Sequence, residues 1–192
     1  MTEPWTFDPL VPMKYGAILA DPPWDTRMRS ARGYAKSPEA HYDTMTEAEL
    51  CSLPVGHLAG PDCMLFLWAR FCDLPRALRV MQAWGFTYKT GGPWVKQTST
   101  GKLTFGTGYI LRDCAELFLV GTIGEPAVGS RSVRNAILSL RREHSRKPPE
   151  LRAMIETLRP RSHLCELFAR EPWPGYEVWG DQTDRFAGDR VS

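Results

Sequence analysis

The sequence predicts an α/β domain built on a largely parallel sheet. Short apolar-rich runs recur at 16–20, 63–68, 115–120 and 164–169, and that at 63–68 is unbroken. Runs of that length, bounded by turn residues, suit strands buried on both faces. Between several of them lie segments with apolar residues at helical spacing. Strands that alternate with helices assemble into a layered sheet.

In chain order, Gly16-Ala17-Ile18-Leu19-Ala20 reads as the first core strand. Residues 25–45 are polar and aperiodic and read as a long mobile loop, a length usually functional or disordered. Thr46-Glu47-Ala48-Glu49 has the capping-box pattern that opens a helix. Cys63 to Trp68 is the second strand. Asp73 is expected to cap a helix with Leu74, Ala77, Leu78, Met81 and Trp84 on one face, stopped by Gly85. Phe86 to Lys96 is strand-like, with an expected break at Gly91-Gly92-Pro93. Residues 97–112 form a second polar loop, and Ala115 to Val120 another strand. Residues 121–147 read as mostly irregular around Ala136-Ile137-Leu138. Pro148 and Pro149 open a helix through Leu158, with Leu151, Met154, Ile155 and Leu158 on one face. Leu164 to Ala169 and Glu177 to Trp179 complete the sheet, and the tail 183–192 reads as loose. With no internal repeat and no linker, residues 1–192 read as one domain.

Composition narrows the function classes. Apolar residues make up 43% and charged residues 24%, as in ordinary soluble domains. No apolar stretch is long enough to span a membrane, and the N-terminus lacks a secretory pattern. A cytoplasmic protein without membrane contact is expected. Five cysteines without CxxC spacing read as free thiols rather than disulfides or metal ligands, and no metal is expected. Net charge is only +2, so the chain as a whole is no polyanion magnet. Its cations are unevenly spread. Arg27, Arg29, Arg32 and Lys36 share one loop, and Arg131, Arg134, Arg141, Arg142, Arg146 and Lys147 share another segment, which suggests phosphate contact.

The strongest chemical signal is Asp21-Pro22-Pro23-Trp24 at the end of the first strand. Ligands of open α/β sheets bind beyond the carboxyl ends of strands. The Asp can accept a hydrogen bond from an exocyclic amine, and the carbonyl beside the prolines a second. The prolines fix where that carbonyl points. The Trp offers a flat face for a base. This constellation suits chemistry on the N6 amino group of adenine. Holding both N6 protons on Asp21 and the Pro22 carbonyl would localise the nitrogen lone pair, which the purine ring otherwise delocalises.

Phe105-Gly106-Thr107-Gly108 looks like a glycine-rich cofactor loop, but it follows no apolar strand and precedes no helix. It reads as part of a flexible substrate loop. A better cofactor region is C-terminal: Glu166-Leu167-Phe168-Ala169-Arg170 ends a strand, Trp173 to Gln182 follows, and His144-Ser145-Arg146-Lys147-Pro148 precedes a helix.

These motifs occur in a fixed order: Leu19-Ala20-Asp21-Pro22-Pro23-Trp24, His41-Tyr42-Asp43-Thr44-Met45, Leu65-Phe66-Leu67-Trp68, Trp94-Val95-Lys96, Ser145-Arg146-Lys147-Pro148 and Glu166-Leu167-Phe168-Ala169-Arg170. The sequence resembles the DPPW-type adenine-N6 methyltransferases from about residue 15 to residue 182. That family includes the catalytic subunit of the eukaryotic messenger-RNA adenine methyltransferase and small bacterial and phage DNA enzymes. The resemblance implies a Rossmann-like three-layer sheet in permuted order, with the catalytic half first and the cofactor half last. It implies S-adenosyl-L-methionine as cofactor. By resemblance, Lys147, Phe168, Arg170, Asp181 and Gln182 contact that cofactor, Asp21 touches both ligands, and Tyr42 and Glu116 lie near the target adenine. Ala20 and Trp173 join the cofactor candidates, and Lys96, Arg27 and Arg29 the substrate candidates. Residues 25–41 and 97–112 resemble the two loops that close over the site.

The sequence departs from the family where some relatives carry His-Asn after the Arg; here Pro172-Trp173 stands. An Asn before the final Gln is Asp181. The upstream acidic contact has Glu3 and Asp8 as candidates. DNA is the expected substrate, since a chain of 192 residues leaves no room for an added RNA-binding domain. The alternatives are the same reaction on RNA, or an inactive nucleic-acid-binding partner subunit. A monomer or homodimer is expected.

Overall fold

Strands β1 (Tyr15–Ala20), β2 (Ala59–Ala69), β3 (Thr87–Gln97), β4 (Ala115–Ile123), β5 (Ile137–Leu140), β6 (Leu164–Leu167) and β7 (Tyr176–Trp179) pair into one sheet, ordered β5-β3-β4-β2-β1-β6-β7. They belong to a computed structural model that describes residues 4–25, 44–108, 110–143 and 146–183. Among the described residues only β4 runs against its neighbours; every other strand pairing is parallel. The helices are α1 (Glu47–Ser52), α2 (Leu74–Ala83) and α3 (Glu150–Leu158).

Alternation along the strands sends side chains to both faces. Ile18 and Ala20 of β1, Leu65 and Leu67 of β2 and Leu167 of β6 pack with Leu50 of α1 and Ala77, Val80 and Met81 of α2. Ala17 and Leu19, Phe66 and Trp68, and Phe118 of β4 face the other way, in a cluster with Leu151 and Ile155 of α3. Helices on both faces of a mostly parallel sheet make the Rossmann-like α/β fold that the sequence predicts.

Local signals behave unequally. Thr46 and Glu49 close a full capping box, with the Thr46 N–H donating to Glu49 Oε2 at 2.7 Å. Asp73, in contrast, does not cap α2. A 3-10 turn over Phe71–Asp73 leads into the helix, and the Asp73 carboxylate is taken by Arg70 (2.5 Å) and Arg76 (3.4 Å). A charged guanidinium outcompetes a backbone N–H for that carboxylate. Gly85, at φ +86°, stops the chain after α2.

The expected break in β3 is absent: Gly91-Gly92-Pro93 lies inside a continuous strand. A Cβ on Gly91 would stand 2.6 Å from the Phe118 carbonyl oxygen, and one on Gly92 1.6 Å from that of Asn135. These glycines admit a close backbone approach instead of a turn. β4 continues to Ile123, and β5 forms an edge strand within the segment read as irregular. Cys63 and Cys165 are buried free thiols, while Cys114 is only half-buried and Cys72 exposed. Burial pushes the Cys63 thiol up to about 12. Among the described residues no helix is long and apolar enough to cross a membrane.

Candidate active site

The carboxyl ends of β1, β2, β3, β6 and β7 share one rim of the sheet. Antiparallel β4 brings its start to that rim, because Leu117 pairs with Ala69, the last residue of β2. Glu116 therefore stands beside residues that end strands.

Asp21 follows β1 directly, and its N–H donates to the Leu167 carbonyl at 3.4 Å, joining the ends of β1 and β6. Its carboxylate lies 2.9 Å from Lys147 Nζ, although the two residues are 126 positions apart. Lys147 also reaches Glu116 at 3.2 Å, and Glu116 pairs in turn with Lys96 near the end of β3. The four side chains form an alternating chain of charge across the rim: Asp21, Lys147, Glu116, Lys96. They rest on an aromatic floor. Lys147 sits 5.7 Å above the Trp68 ring and Lys96 4.7 Å above Trp94, while Trp68 meets Trp94 and Phe118 edge to face.

The electrostatics follow from that order. Burial disfavours the charged form of Glu116, but Lys147 and Lys96 outweigh it and hold the carboxyl at about 2. Burial likewise opposes the charge on Lys147, and Asp21 with Glu116 more than compensates, raising its pKa. Glu116 and Lys147 thus remain ionised around neutral pH.

Two sequence expectations change at the Asp-Pro-Pro-Trp turn. Trp24 is 6% exposed and belongs to the core. Its Nε1–H donates to the Trp68 carbonyl at 3.1 Å, and the Arg76 guanidinium lies 5.7 Å over its ring. It is not an open stacking face; it anchors the turn. Ala20 is fully buried and presents no surface to a ligand, so it positions Asp21 rather than touching a cofactor. Pro22 is buried and its carbonyl accepts the Trp24 N–H at 2.9 Å, which leaves that oxygen a second lone pair. The Pro23 carbonyl accepts the Met45 N–H, also at 2.9 Å.

The C-terminal candidates divide. Phe168 follows β6 with φ +59°, a conformation uncommon for a bulky residue, and packs edge to face on Trp179. Phe7 meets the same Trp179 ring at 5.0 Å, so Asp8, which is exposed, adjoins this end of the sheet. The Ala169 N–H donates to the Trp179 carbonyl at 3.0 Å, which sets half-buried Arg170 beside the end of β7. Exposed Asp181 and half-buried Gln182 follow that strand. Trp173 departs from expectation: its indole donates to Glu156 of α3 at 3.3 Å and its ring covers Arg152. It packs along the helix, away from the strand ends.

The basic segment departs as well. Arg146 is buried against Glu171 at 2.7 Å, and Arg142 lies 3.6 Å from the same carboxylate, so neither is an open phosphate contact. Glu171 also pairs with Arg152, which grips Glu166 through two bonds of 2.7 and 2.8 Å. Tyr42, Arg27, Arg29, Glu3, His144, Ser145, the rest of 26–43 and the tail 184–192 lie outside the described residues. Trp68 and Trp94 are site residues that the sequence reading does not assign, although both stand in the ordered motifs. Trp68 ends an apolar run, and Trp94 lies within the strand-like stretch 86–96.

Comparison with known proteins identifies the family. The MT-A70 family model matches residues 15–182. An N(6)-adenosine-methyltransferase MT-A70-like protein of Arabidopsis thaliana is 34% identical over 158 residues, covering 81% of this chain and 22% of that protein. The type II methyltransferase M.MunI of Mycoplasma sp is 31% identical over 192 residues, covering 91% of this chain and 80% of that protein. The human N(6)-adenosine-methyltransferase catalytic subunit METTL3 is 31% identical over 176 residues, covering 89% and 28%. The chain therefore spans about a quarter or less of the plant relatives' length. An Asp-Pro-Pro-Trp turn at a strand end, tied by charge to a distant lysine, accords with the match of nearly the whole chain, and the chain belongs to the MT-A70 family.

Proposed function

We propose that the chain is an S-adenosyl-L-methionine-dependent methyltransferase acting on N6 of adenine in DNA, as a single cytoplasmic domain. The observation that carries this reading is the position of Asp21. It stands at the end of β1 between a rim of paired charges and the Phe168–Trp179 end of the sheet. In this reading the cofactor half follows the catalytic half along the chain, a permuted order.

The residues present fit the cofactor. A sulfonium amino acid joined to a nucleoside calls for carboxylates, a cation for its own carboxylate, and an aromatic or apolar wall. Asp21 pairs with Lys147 and bonds through its N–H to the Leu167 carbonyl, the residue before Phe168, and Phe168 packs on Trp179. Lys147, Phe168, Arg170, Asp181 and Gln182 would hold it, with Asp8 as the upstream acid. When bound, it supplies an electrophilic methyl group.

This chain's own residues prepare the amine. Asp21 has about four lone-pair sites and can keep Lys147 while accepting an N6 proton. The Pro22 carbonyl accepts the other through its remaining lone pair. Together they localise the nitrogen lone pair and stabilise the positive charge that develops there. Lys147 holds the Asp21 carboxylate in place through their 2.9 Å contact. Glu116 and Lys96 flank the base, with Trp68 and Trp94 as the floor beneath them.

DNA is favoured by the match to a type II methyltransferase over 80% of its length. RNA is the second reading, favoured by the relatives named N(6)-adenosine-methyltransferases. The deciding experiment incubates the chain with labelled cofactor and defined DNA or RNA, then separates nucleosides. N6-methyldeoxyadenosine is the expected product. N6-methyladenosine alone transfers the reading to RNA, and the absence of both product and cofactor binding leaves an inactive partner subunit.

A further inference from the structure

The Phe105-Gly106-Thr107-Gly108 motif finds no role in the cofactor site, yet it is built with care. The loop that carries it grows out of the rim. The Thr104 N–H donates to the Lys96 carbonyl at 3.0 Å, and the Lys96 N–H to the Cys114 carbonyl at 2.8 Å, so its root is the residue paired with Glu116. Further out, Gln97 bridges to Leu103, and the Gly106 N–H reaches the Asp113 carbonyl at 2.8 Å. The glycines are spatial necessities there. A Cβ on Gly106 would stand 2.7 Å from the Asp113 carbonyl oxygen, and one on Gly108 1.9 Å from that of Leu111. The outgoing and returning limbs are pressed together, which leaves the larger side chains facing outward. Phe105 is 82% exposed, Ile110 94% and Leu111 80%. The Arg112 guanidinium lies 5.5 Å over the Phe105 ring, and exposed Lys102 flanks the same loop.

Exposed apolar side chains gathered on one projection mark a contact surface. Cations among them indicate a polyanionic partner, and an aromatic ring beside a cation suits a stack of bases above phosphates. An enzyme that modifies a base must first take it out of the duplex. Proteins that open a stack commonly insert an apolar wedge between base steps. We propose that Phe105, on the same loop as exposed Ile110 and Leu111, is such a wedge. It enters the stack of double-stranded DNA beside the target adenine while Arg112 and Lys102 meet the adjoining phosphates. The tight glycine limbs hold the wedge at a fixed distance from Lys96 and Glu116. This inference rests on the adenine-methylating function proposed above.

The test compares the full chain with Phe105→Ala and Phe105→Trp on a duplex containing a mapped methylation site and on the same strand alone. At 82% exposure the side chain supports no core, so both variants should fold. Phe105→Ala should lower kcat/KM on duplex by about ten- to a hundredfold, the scale of an unstacking cost, with single-strand activity within about threefold of wild type. Phe105→Trp should retain duplex activity. 2-Aminopurine at the target position should brighten on binding wild type and not Phe105→Ala. Equal losses on both substrates overturn the wedge, as does an unchanged duplex rate. So does a loss of self-association measured by sedimentation, which would make the tip a contact between copies of this chain. A wild-type chain active only on single strands overturns the wedge alone; one active on neither form overturns the function as well.

Discussion

Two networks of alternating charge lie on the α3 face of the sheet, and they are built differently. One joins Glu166, Arg152, Glu171 and Arg146; the other joins Asp21, Lys147, Glu116 and Lys96. The first uses arginines whose planar forks match carboxylates, and the Arg152 and Glu166 side chains are 5% and 7% exposed. It ties α3 to β6 beneath the surface. The second uses lysines, compact charges on flexible stems, and its members are 15–22% exposed at the strand ends. Both satisfy their charges internally. The forked network has little freedom to exchange partners, whereas the lysine network can admit a ligand atom without dismantling the fold. Residue chemistry and position, not the presence of ion pairs, distinguish a tie from a site.

Breaking each network should therefore give different losses. Asp21→Ala should reduce methylation by at least about a thousandfold, comparable to removing a principal transition-state contact, while the urea midpoint stays close to wild type. A fully active Asp21→Ala chain would sink the assignment. Arg152→Met should do the reverse. It strands buried Glu166, while Glu171 keeps Arg146 and Arg142, and should cost about 3–5 kcal/mol of unfolding free energy, with activity per folded molecule retained at low temperature. Loss of activity without loss of stability would erase the contrast.

Acid should separate the networks more gently. The Glu116 carboxyl sits at about 2, below its ordinary value, so its contribution to stability is complete above the unfolded value near 4.5. That contribution is lost as pH falls from there towards about 2. Burial raises the Glu166 carboxyl despite Arg152, so acid acts on it in the opposite sense. Denaturant titrations across this range should show a decline in wild type that Glu116→Gln flattens. The smallest effect belongs to Lys96→Gln. Its partly exposed pair should change stability by less than about 1 kcal/mol, while the KM for nucleic acid rises severalfold. An unchanged KM would remove Lys96 from the substrate side.

Much of this architecture was legible because it depends on local pattern. The apolar runs announced β1, β2, β4 and β6, and Thr46 with Glu49 announced α1. Asp21 was legible from its unusual neighbours. What failed were judgements that needed tertiary context. Gly91-Gly92-Pro93 reads as a break until Asn135 is known to press on it. Trp24 reads as a stacking face until Trp68 is found to take its N–H, and Trp173 as a rim residue until Glu156 and Arg152 claim it. Lys147 was picked out, but no local rule connects it with carboxylates on β4 and after β1.

The single reversed strand has a further bearing on how the site tolerates change. Because β4 enters where its neighbours leave, Glu116 is placed by pairing register rather than by the length of a preceding strand. A slip of one residue would turn Glu116 to the opposite face and carry the anion shared by both lysines away from them. The crowded glycines of β3, pressed on the Phe118 and Asn135 carbonyls, oppose such a slip. A change in the loop before β4 would therefore leave Glu116 in place as long as the β2–β4 and β3–β4 register holds.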